Sequence, residues 1–102
     1  MQDYTRRVIE LIQGIPSGMV STYGTIAAAA GNASGARQVA RILHSSSAKY
    51  DLPWHRVVNR HGRISERSNM SHELQEQLLA GEGVGFLKPG QIDLDKHLWL
   101  GS

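Results

Sequence analysis

Apolar residues recur along the first fifteen positions with the period of one helical face. They stand at relative positions 0, 4, 7, 8 and 11, and are Tyr4, Val8, Leu11, Ile12 and Ile15. An α-helix turns once in 3.6 residues, so these side chains share one side of a helix. Gly14, Pro16 and Gly18 predict where that helix ends.

Two short helical patterns follow, joined by the Gly31-Asn32 turn. Ser21 is a candidate N-cap for a helix over 23–30, and Ser34 for the next helix, which the serines at 45–47 are expected to end. The second helix has an inner stripe of Ala36, Val39, Ala40 and Leu43 and a polar side of Arg37, Gln38, Arg41 and His44. Over about 21–45 this is the helix-turn-helix pattern, whose second helix enters DNA in many proteins.

The second half of the chain contains short β-prone runs and another helix. The runs 56–58 and 62–65, joined through 59–61, predict a small β-hairpin wing. Ser71 is a candidate cap for a fourth helix that ends at 81–83. Its residues expected to face inward are Leu74, Leu78 and Leu79.

The tail, about 86–102, adds one short helical candidate over 93–98. We expect Trp99 to pack back on the domain, because a core role is the usual one for a tryptophan. Residues 1–102 are therefore predicted to form a single, mainly α domain of the winged helix-turn-helix type, with a small β-hairpin as the wing.

The composition is that of a globular protein, and it excludes several classes of site. The 102 residues include no cysteine, so disulfides, thiolate metal sites and thiol nucleophiles are excluded. The five histidines lack the spacing of a metal site, and we expect neither metal nor cofactor. No apolar run reaches the roughly 18 residues of a membrane span. We expect a soluble intracellular monomer, in the cytoplasm or nucleoid, without membrane contact.

Charge is segregated along the chain. From 37 to 67 there are seven basic and two acidic residues, a net charge of +5, and the rest has four basic and seven acidic residues, a net charge of −3. This segregation favours a surface for a polyanion, with nucleic acid the first candidate, or a solvated basic loop. Charge alone leaves both open.

The most specific motif is Pro-Trp-His-Arg-Val at 53–57. With it stand Ser-Thr-Tyr-Gly at 21–24, Ala-Arg at 36–37 and Leu-Leu-Ala-Gly-Glu-Gly at 78–83. Together, from about residue 4 to 83, they resemble the C-terminal DNA-binding domain of the O6-alkylguanine-DNA alkyltransferases, whose active-site motif is Pro-Cys-His-Arg-Val. Trp54 takes the place of the cysteine, which is the pattern of alkyltransferase-like proteins.

The resemblance implies what the chain has lost. In the family, a thiolate accepts the alkyl group from guanine O6, an adjacent histidine removes its proton, and a glutamate orients the histidine. Here His55 and Glu82 match the base and the orienting residue, and are expected to form a vestigial network. Because no sulfur is present, we predict that there is no catalytic residue and no alkyl transfer.

The resemblance also implies residues for recognition, because a base must leave the stack to be inspected. Arg37 matches the arginine that fills the vacated place. Tyr23 matches a tyrosine at the phosphate of the extruded nucleotide, and Thr22 is suited to bind phosphate.

A loop before the fourth helix, within the wing and loop region of about 56–70, is expected to form one wall of the lesion pocket. Ser68 matches a serine that donates to O6, and Arg67 takes the place of a family tyrosine. Trp54 would supply an apolar wall with room for groups larger than methyl. Ser46 stands where the family uses an asparagine to brace the active-site turn, so we expect a different support.

The resemblance implies a non-enzymatic sensor that binds O6-alkylguanine in double-stranded DNA, flips it, and directs it to nucleotide excision repair proteins. One alternative is a helix-turn-helix regulator that reads an undamaged sequence and has no use for Trp54. Another is an enzyme that uses His55 and Glu82 to activate water, although no companion Asp or Lys supports it.

Overall fold

The computed structural model describes residues 3–64 and 71–101, which form five α-helices and four short strands. The fold class predicted from the sequence, mainly helical with a little β-structure, is confirmed. None of the described helices is long and apolar enough to cross a membrane. In chain order the elements are α1 Asp3–Gln13, β1 Ser21–Thr22, α2 Tyr23–Ala29, α3 Ala36–Tyr50, a 3₁₀ turn Trp54–Arg56, β2 Val57–Val58, α4 Ser71–Gly81, β3 Phe86–Lys88, β4 Gln91–Ile92 and α5 Leu94–His97.

The helix pair α2–α3 is present where the pattern predicts it, but both caps differ. Thr22 caps α2, and its hydroxyl accepts a hydrogen bond from the Thr25 amide at 3.0 Å. Ser21 was wrong as the cap because it lies one residue before the cap position, and its buried hydroxyl has no hydrogen-bond partner among the described residues. Gly35 precedes α3 as the cap residue, whereas the Ser34 hydroxyl turns back into the loop and donates to the Asn32 side chain at 2.9 Å.

Helix α3 continues through the serines that were expected to end it. The hydroxyl groups of Ser45 and Ser47 donate to carbonyl oxygens one turn earlier, so they do not compete with the helix. The helix ends at Asp51, which adopts the left-handed conformation with φ of 51°. The polar side was predicted correctly, and its four side chains are exposed: Arg37, Gln38, Arg41 and His44.

The predicted hairpin between 56–58 and 62–65 is wrong in its pairing. Strand β2 pairs in parallel with β1. Residues 59–63 do form a turn, closed by a hydrogen bond of 3.2 Å from the Asn59 amide to the Arg63 carbonyl, but Arg63 then bridges to Gln91 of the antiparallel β3–β4 hairpin. A parallel partner more than thirty residues away leaves no local turn signal, so the sequence pattern missed it.

Strand β2 separates two buried clusters, because consecutive strand residues point to opposite sides. Val57 belongs to a cluster built by α1, α2 and α3, and Val58 to one built by Val20, Ile64, Leu79, Val84 and Ile92. Trp99 packs against the first cluster, as predicted. The turn that precedes β2 is therefore fixed at the junction of the two clusters.

Helix α4 is rotated relative to the sequence prediction. Leu79 is fully buried, but Leu74 and Leu78 are 47% and 37% exposed, so their inward assignment was wrong. The inner side carries Gln75, which is 5% exposed, one turn before Leu79. A buried glutamine in place of a leucine shows that a polar interaction determines how α4 packs.

Gly35 lies where a side chain has no room. A Cβ at this position would be 2.5 Å from the Tyr4 hydroxyl oxygen and 3.1 Å from the Asn32 carbonyl oxygen. We expect Gly35→Ala to lower the free energy of unfolding by about 1–3 kcal/mol, because the turn before α3 and Tyr4 must separate. Urea unfolding followed by circular dichroism measures this loss.

Two further variants control for this interpretation. A Cβ at Gly24 meets nothing within 4 Å, so Gly24→Ala should cause no loss. Tyr4→Phe in the Gly35→Ala background should recover part of the loss, because it removes a phenol oxygen that has no hydrogen-bond partner among the described residues. Equal stability of the Gly35→Ala and Gly24→Ala variants would contradict the close contact.

Candidate nucleic-acid interface

The carboxylate of Glu82, directly after α4, is the centre of the described polar network. His55 Nε2 lies 2.8 Å from Oε2. Arg56 donates to the same oxygen through Nη2 at 2.7 Å, and to Oε1 through Nε at 3.0 Å. The Gly18 amide donates to Oε1 at 3.2 Å. Charge-assisted bonds of this kind are about twice as strong as neutral ones, so the carboxylate holds three separate segments in place.

These donors keep Glu82 ionised. Burial alone would raise its pKa, but the hydrogen bonds from Arg56, His55 and Gly18, together with the charge of His55, outweigh burial and lower the pKa to about 2. The side chains of Arg56 and Glu82 are 18% and 15% exposed. The pair is therefore mostly shielded from solvent, and its geometry matters more than that of a surface ion pair.

The Arg56 side chain is directed into the protein, where its guanidinium forms several hydrogen bonds. Its Nη1 donates to the Ile15 carbonyl at 2.9 Å, so one guanidinium joins the segment after α1 to the end of α4. Arg56 is one of the seven basic residues between 37 and 67 that favoured a basic surface, but these contacts remove it from that surface. The exposed described arginines of the basic region are Arg37, Arg41, Arg60 and Arg63.

The turn at 53–57 presents Trp54 and is braced from α4. Trp54 is half-buried against the first cluster, and its ring meets the His55 ring edge-on at 6.0 Å between centroids. The Gln75 amide donates to the carbonyls of His55 and Val57, at 3.0 and 3.1 Å. This brace explains why Gln75 is buried, and it is a support of the kind that Ser46 in the family's asparagine position led us to expect.

The parallel pair β1–β2 places the start of α2 beside this turn. The register sets Ser21 opposite Val57 and Thr22 opposite Val58. The Thr22 hydroxyl is used internally, because it caps α2 and also donates to the Thr25 hydroxyl at 2.7 Å. Two motifs more than thirty residues apart in sequence thus become neighbours.

The other predicted recognition residues divide into three groups. Tyr23 begins α2 and is half-buried against the first cluster. Arg37 is exposed in the first turn of α3. Tyr50 is the last residue of that helix and lies about 20 Å further along its axis, at 1.5 Å per residue. Arg67 and Ser68, with the rest of the expected pocket loop at 66–70, lie outside the described residues.

Sequence reasoning missed three partners of this network. Arg56 stands inside the 53–57 motif, so its position there was the available signal, but it was interpreted as surface charge. Gly18 was taken only as a helix stop, although its amide binds Glu82. Gln75 gave no signal, since a glutamine in an amphipathic helix is ordinarily exposed.

The family model for the DNA-binding domain of 6-O-methylguanine DNA methyltransferase matches residues 3–84. The chain belongs to this family. Its His55–Glu82 pair and Trp54 lie in the region that the family model covers, and the chain contains no cysteine. The resemblance found in the sequence is thus confirmed.

Relatives that match nearly the whole of this chain carry names that refer to base flipping and to alkyltransferase-like proteins. The DNA base-flipping protein of Escherichia coli is 44% identical over 96 residues, which cover 94% of this chain and 74% of the relative. Alkyltransferase-like protein 1 of Schizosaccharomyces pombe is 34% identical, with 97% and 96% covered. The crystal structure of that yeast protein with damaged DNA containing O6-carboxymethylguanine matches this fold with a TM-score of 0.83 over the same shares.

The Glu82 network predicts a specific acid dependence of stability. A carboxyl whose pKa is lowered on folding stabilises the protein above its unfolded value of about 4.5, and this contribution is lost as the pH falls toward 2. We expect Glu82→Gln to cost on the order of 2–3 kcal/mol at pH 7 and progressively less below pH 4.5. Thermal unfolding from pH 7 to 2 measures the difference.

The exposed acid Glu73 on α4 provides the matched control. Glu73→Gln should leave the pH profile of stability unchanged, because its carboxyl lies at the surface. A stability difference between wild type and Glu82→Gln that stays constant from pH 7 to 2 would show that the Glu82 charge does not stabilise the fold.

Proposed function

We propose that this protein is a non-enzymatic DNA-damage sensor. It binds O6-alkylguanine in double-stranded DNA, rotates the nucleotide out of the stack, and directs the lesion to nucleotide excision repair. The observation that carries the proposal is the intact His55–Glu82 pair beside Trp54 on the family's scaffold. The names of the relatives support it, as does the yeast protein solved with damaged DNA.

Alkyl transfer has no acceptor in this chain. The reaction needs a thiolate, and the 102 residues contain no cysteine. An indole at Trp54 does not accept an alkyl group under these conditions. His55 and Glu82 keep the arrangement of a base and its orienting residue, but Arg56 shares the carboxylate, so the network here fixes the turn.

The recognition roles follow the positions of the side chains. Arg37, exposed at the start of α3, is free of any described contact that would hold it on the protein, and its planar guanidinium suits the place left by an extruded base. Trp54 supplies an apolar wall for the alkyl group. We assign Tyr23 and the backbone at Thr22 to the phosphate of the extruded nucleotide, and the pairing of Thr22 with Val58, directly after the turn, supports this assignment.

The pocket is completed by Arg67 and Ser68. Ser68 donates to the O6 atom, and the cation of Arg67 over the base senses the change in ring potential when O6 carries an alkyl group. These two assignments rest on sequence position. The exposed basic side of α3 supplies affinity for the phosphate backbone that is independent of sequence.

A second candidate function is a helix-turn-helix regulator. The exposed row of Arg37, Gln38, Arg41 and His44 on α3 is the arrangement that such proteins use to read base edges. A regulator would bind one undamaged sequence tightly, and substitution of Trp54 would leave that binding unchanged. A sensor would prefer the lesion in any sequence.

Binding to a lesion-containing duplex tests the proposal. We expect tighter binding to a duplex with one O6-methylguanine than to the undamaged duplex, and the DNA should be recovered with the lesion and both strands intact. Equal affinity for the two duplexes would exclude a sensor, and removal of the lesion or strand cleavage would exclude a non-enzymatic protein. Fluorescence anisotropy, followed by mass analysis of the DNA, provides both measurements.

Arg37→Ala tests the role of the side chain that fills the stack. We expect base extrusion, measured with a fluorescent base analogue at the lesion, to be lost, and lesion affinity to fall by about 2–3 kcal/mol. Arg41→Ala, one turn further along the same exposed side, should weaken lesion and undamaged DNA equally. Retained extrusion in Arg37→Ala would refute the assigned role.

The link to excision repair is tested genetically. We expect deletion of the gene to sensitise wild-type cells to an alkylating agent and to add no sensitivity in cells that lack nucleotide excision repair. Survival curves of the two single mutants and the double mutant measure this. Additive sensitivity in the double mutant would place the protein in another pathway.

A further inference from the structure

His97, the last residue of α5, joins two backbone segments through both of its ring nitrogens. Nδ1 lies 3.0 Å from the Gly18 carbonyl oxygen, and the Gly85 amide donates to Nε2 at 2.9 Å. Because Nε2 accepts, the neutral ring carries its proton on Nδ1, which therefore donates to Gly18. The two contacts fix both the tautomer and the orientation of the ring.

Gly18 is consequently held on both sides. Its amide donates to Glu82 Oε1, and its carbonyl accepts from His97. It adopts a φ of 87°, which favours glycine, and a Cβ there would lie 3.3 Å from the Glu82 carbonyl oxygen. The position of the Gly18 amide on the carboxylate thus depends on what holds the Gly18 carbonyl.

The residues next to His97 also form hydrogen bonds with the chain just before β1, the strand that leads into α2. The Val20 amide donates to the His97 carbonyl at 3.0 Å, and the Trp99 amide donates to the Val20 carbonyl at 2.7 Å. Val20 bridges in parallel to Leu98 and immediately precedes β1. The C-terminal segment 97–99 therefore contacts the chain on the way to Thr22 as well as the loop that binds Glu82.

We propose that His97 is a positioning residue for lesion recognition, which acts through Gly18 on the Glu82 network and so holds the turn that presents Trp54. This inference rests on the proposed function. His97 lies in the C-terminal segment, outside residues 3–84, which match the family model. A side chain that only filled space would need neither of its two oriented hydrogen bonds.

The mechanism is preorganisation. Glu82 binds His55 and Arg56 on one side and the Gly18 amide on the other. Without the bond from His97, the Gly18 segment gains freedom, and its amide leaves the carboxylate for part of the time. The turn at 53–57 then samples more conformations, and the ordering that DNA binding requires costs more.

Two substitutions separate hydrogen bonding from volume. His97→Leu keeps the bulk and removes both hydrogen bonds, whereas His97→Asn keeps a donor at the position of Nδ1, within reach of Gly18. Leu94→Ala is the matched control, since Leu94 packs against the second cluster from the same helix without contacting Gly18 through a described hydrogen bond. Each variant is assayed as the full chain.

The first measurement is the ratio of affinities for a duplex with one O6-methylguanine and for the undamaged duplex. The second is the pKa of the Glu82 carboxyl, followed by carbon NMR. We expect His97→Leu to lower the affinity ratio about fivefold to tenfold and to raise the pKa of Glu82, because the carboxylate loses a donor. His97→Asn should keep both near wild type, and Leu94→Ala should lower only stability.

An unchanged affinity ratio in His97→Leu, or an equal loss of ratio in Leu94→Ala, overturns the positioning role. If wild type itself shows no preference for the lesion, the proposed function fails, and the pKa of Glu82 alone then decides whether His97 positions the network. A pKa of Glu82 that is the same in wild type and His97→Leu would overturn the role in that case as well.

Discussion

One buried carboxylate organises this structure. Glu82 joins α4 to the loop after α1 through Gly18 and to the turn before β2 through His55 and Arg56. A buried charge costs several kcal/mol unless it is fully hydrogen-bonded, so the donors and the acceptor must be kept together. Removal of one partner leaves the remaining groups with a charge that is no longer fully compensated by hydrogen bonds. The position of the Trp54 turn is for this reason tied to two distant parts of the chain, the end of α4 and the loop after α1.

The hydrogen bonds to Glu82 and the two buried clusters together fix the position of the turn at 53–57 in this small domain. Strand β2 lies between two clusters, with Val57 in one and Val58 in the other, and Arg56 directly before it reaches Ile15 from one side and Glu82 from the other. Gln75 adds two bonds to the carbonyls around the turn. Under the proposed function, this rigidity serves to recognise a lesion.

Much of the fold was accessible from the sequence, and the exceptions have common physical causes. The period of apolar residues located α1, α3 and the exposed side that carries Arg37, because one helical face depends only on local spacing. The parallel β1–β2 pair was missed, since it joins residues more than thirty apart. Arg56 was counted with the basic surface and Gln75 gave no signal, because the partners of both are set by tertiary packing, which one sequence does not reveal.

Trp54 is the residue on which the proposed function depends: we propose that its indole forms a wall of the lesion pocket, in a chain that contains no thiol to accept an alkyl group. The indole N–H resonance of Trp54, followed by NMR during titration with DNA, tests this directly, with Trp99, the other tryptophan of the chain, as an internal reference because it lies outside the proposed pocket. The account predicts a shift that saturates at one equivalent of duplex containing O6-methylguanine and is absent with undamaged duplex. The same shift with both duplexes would contradict it.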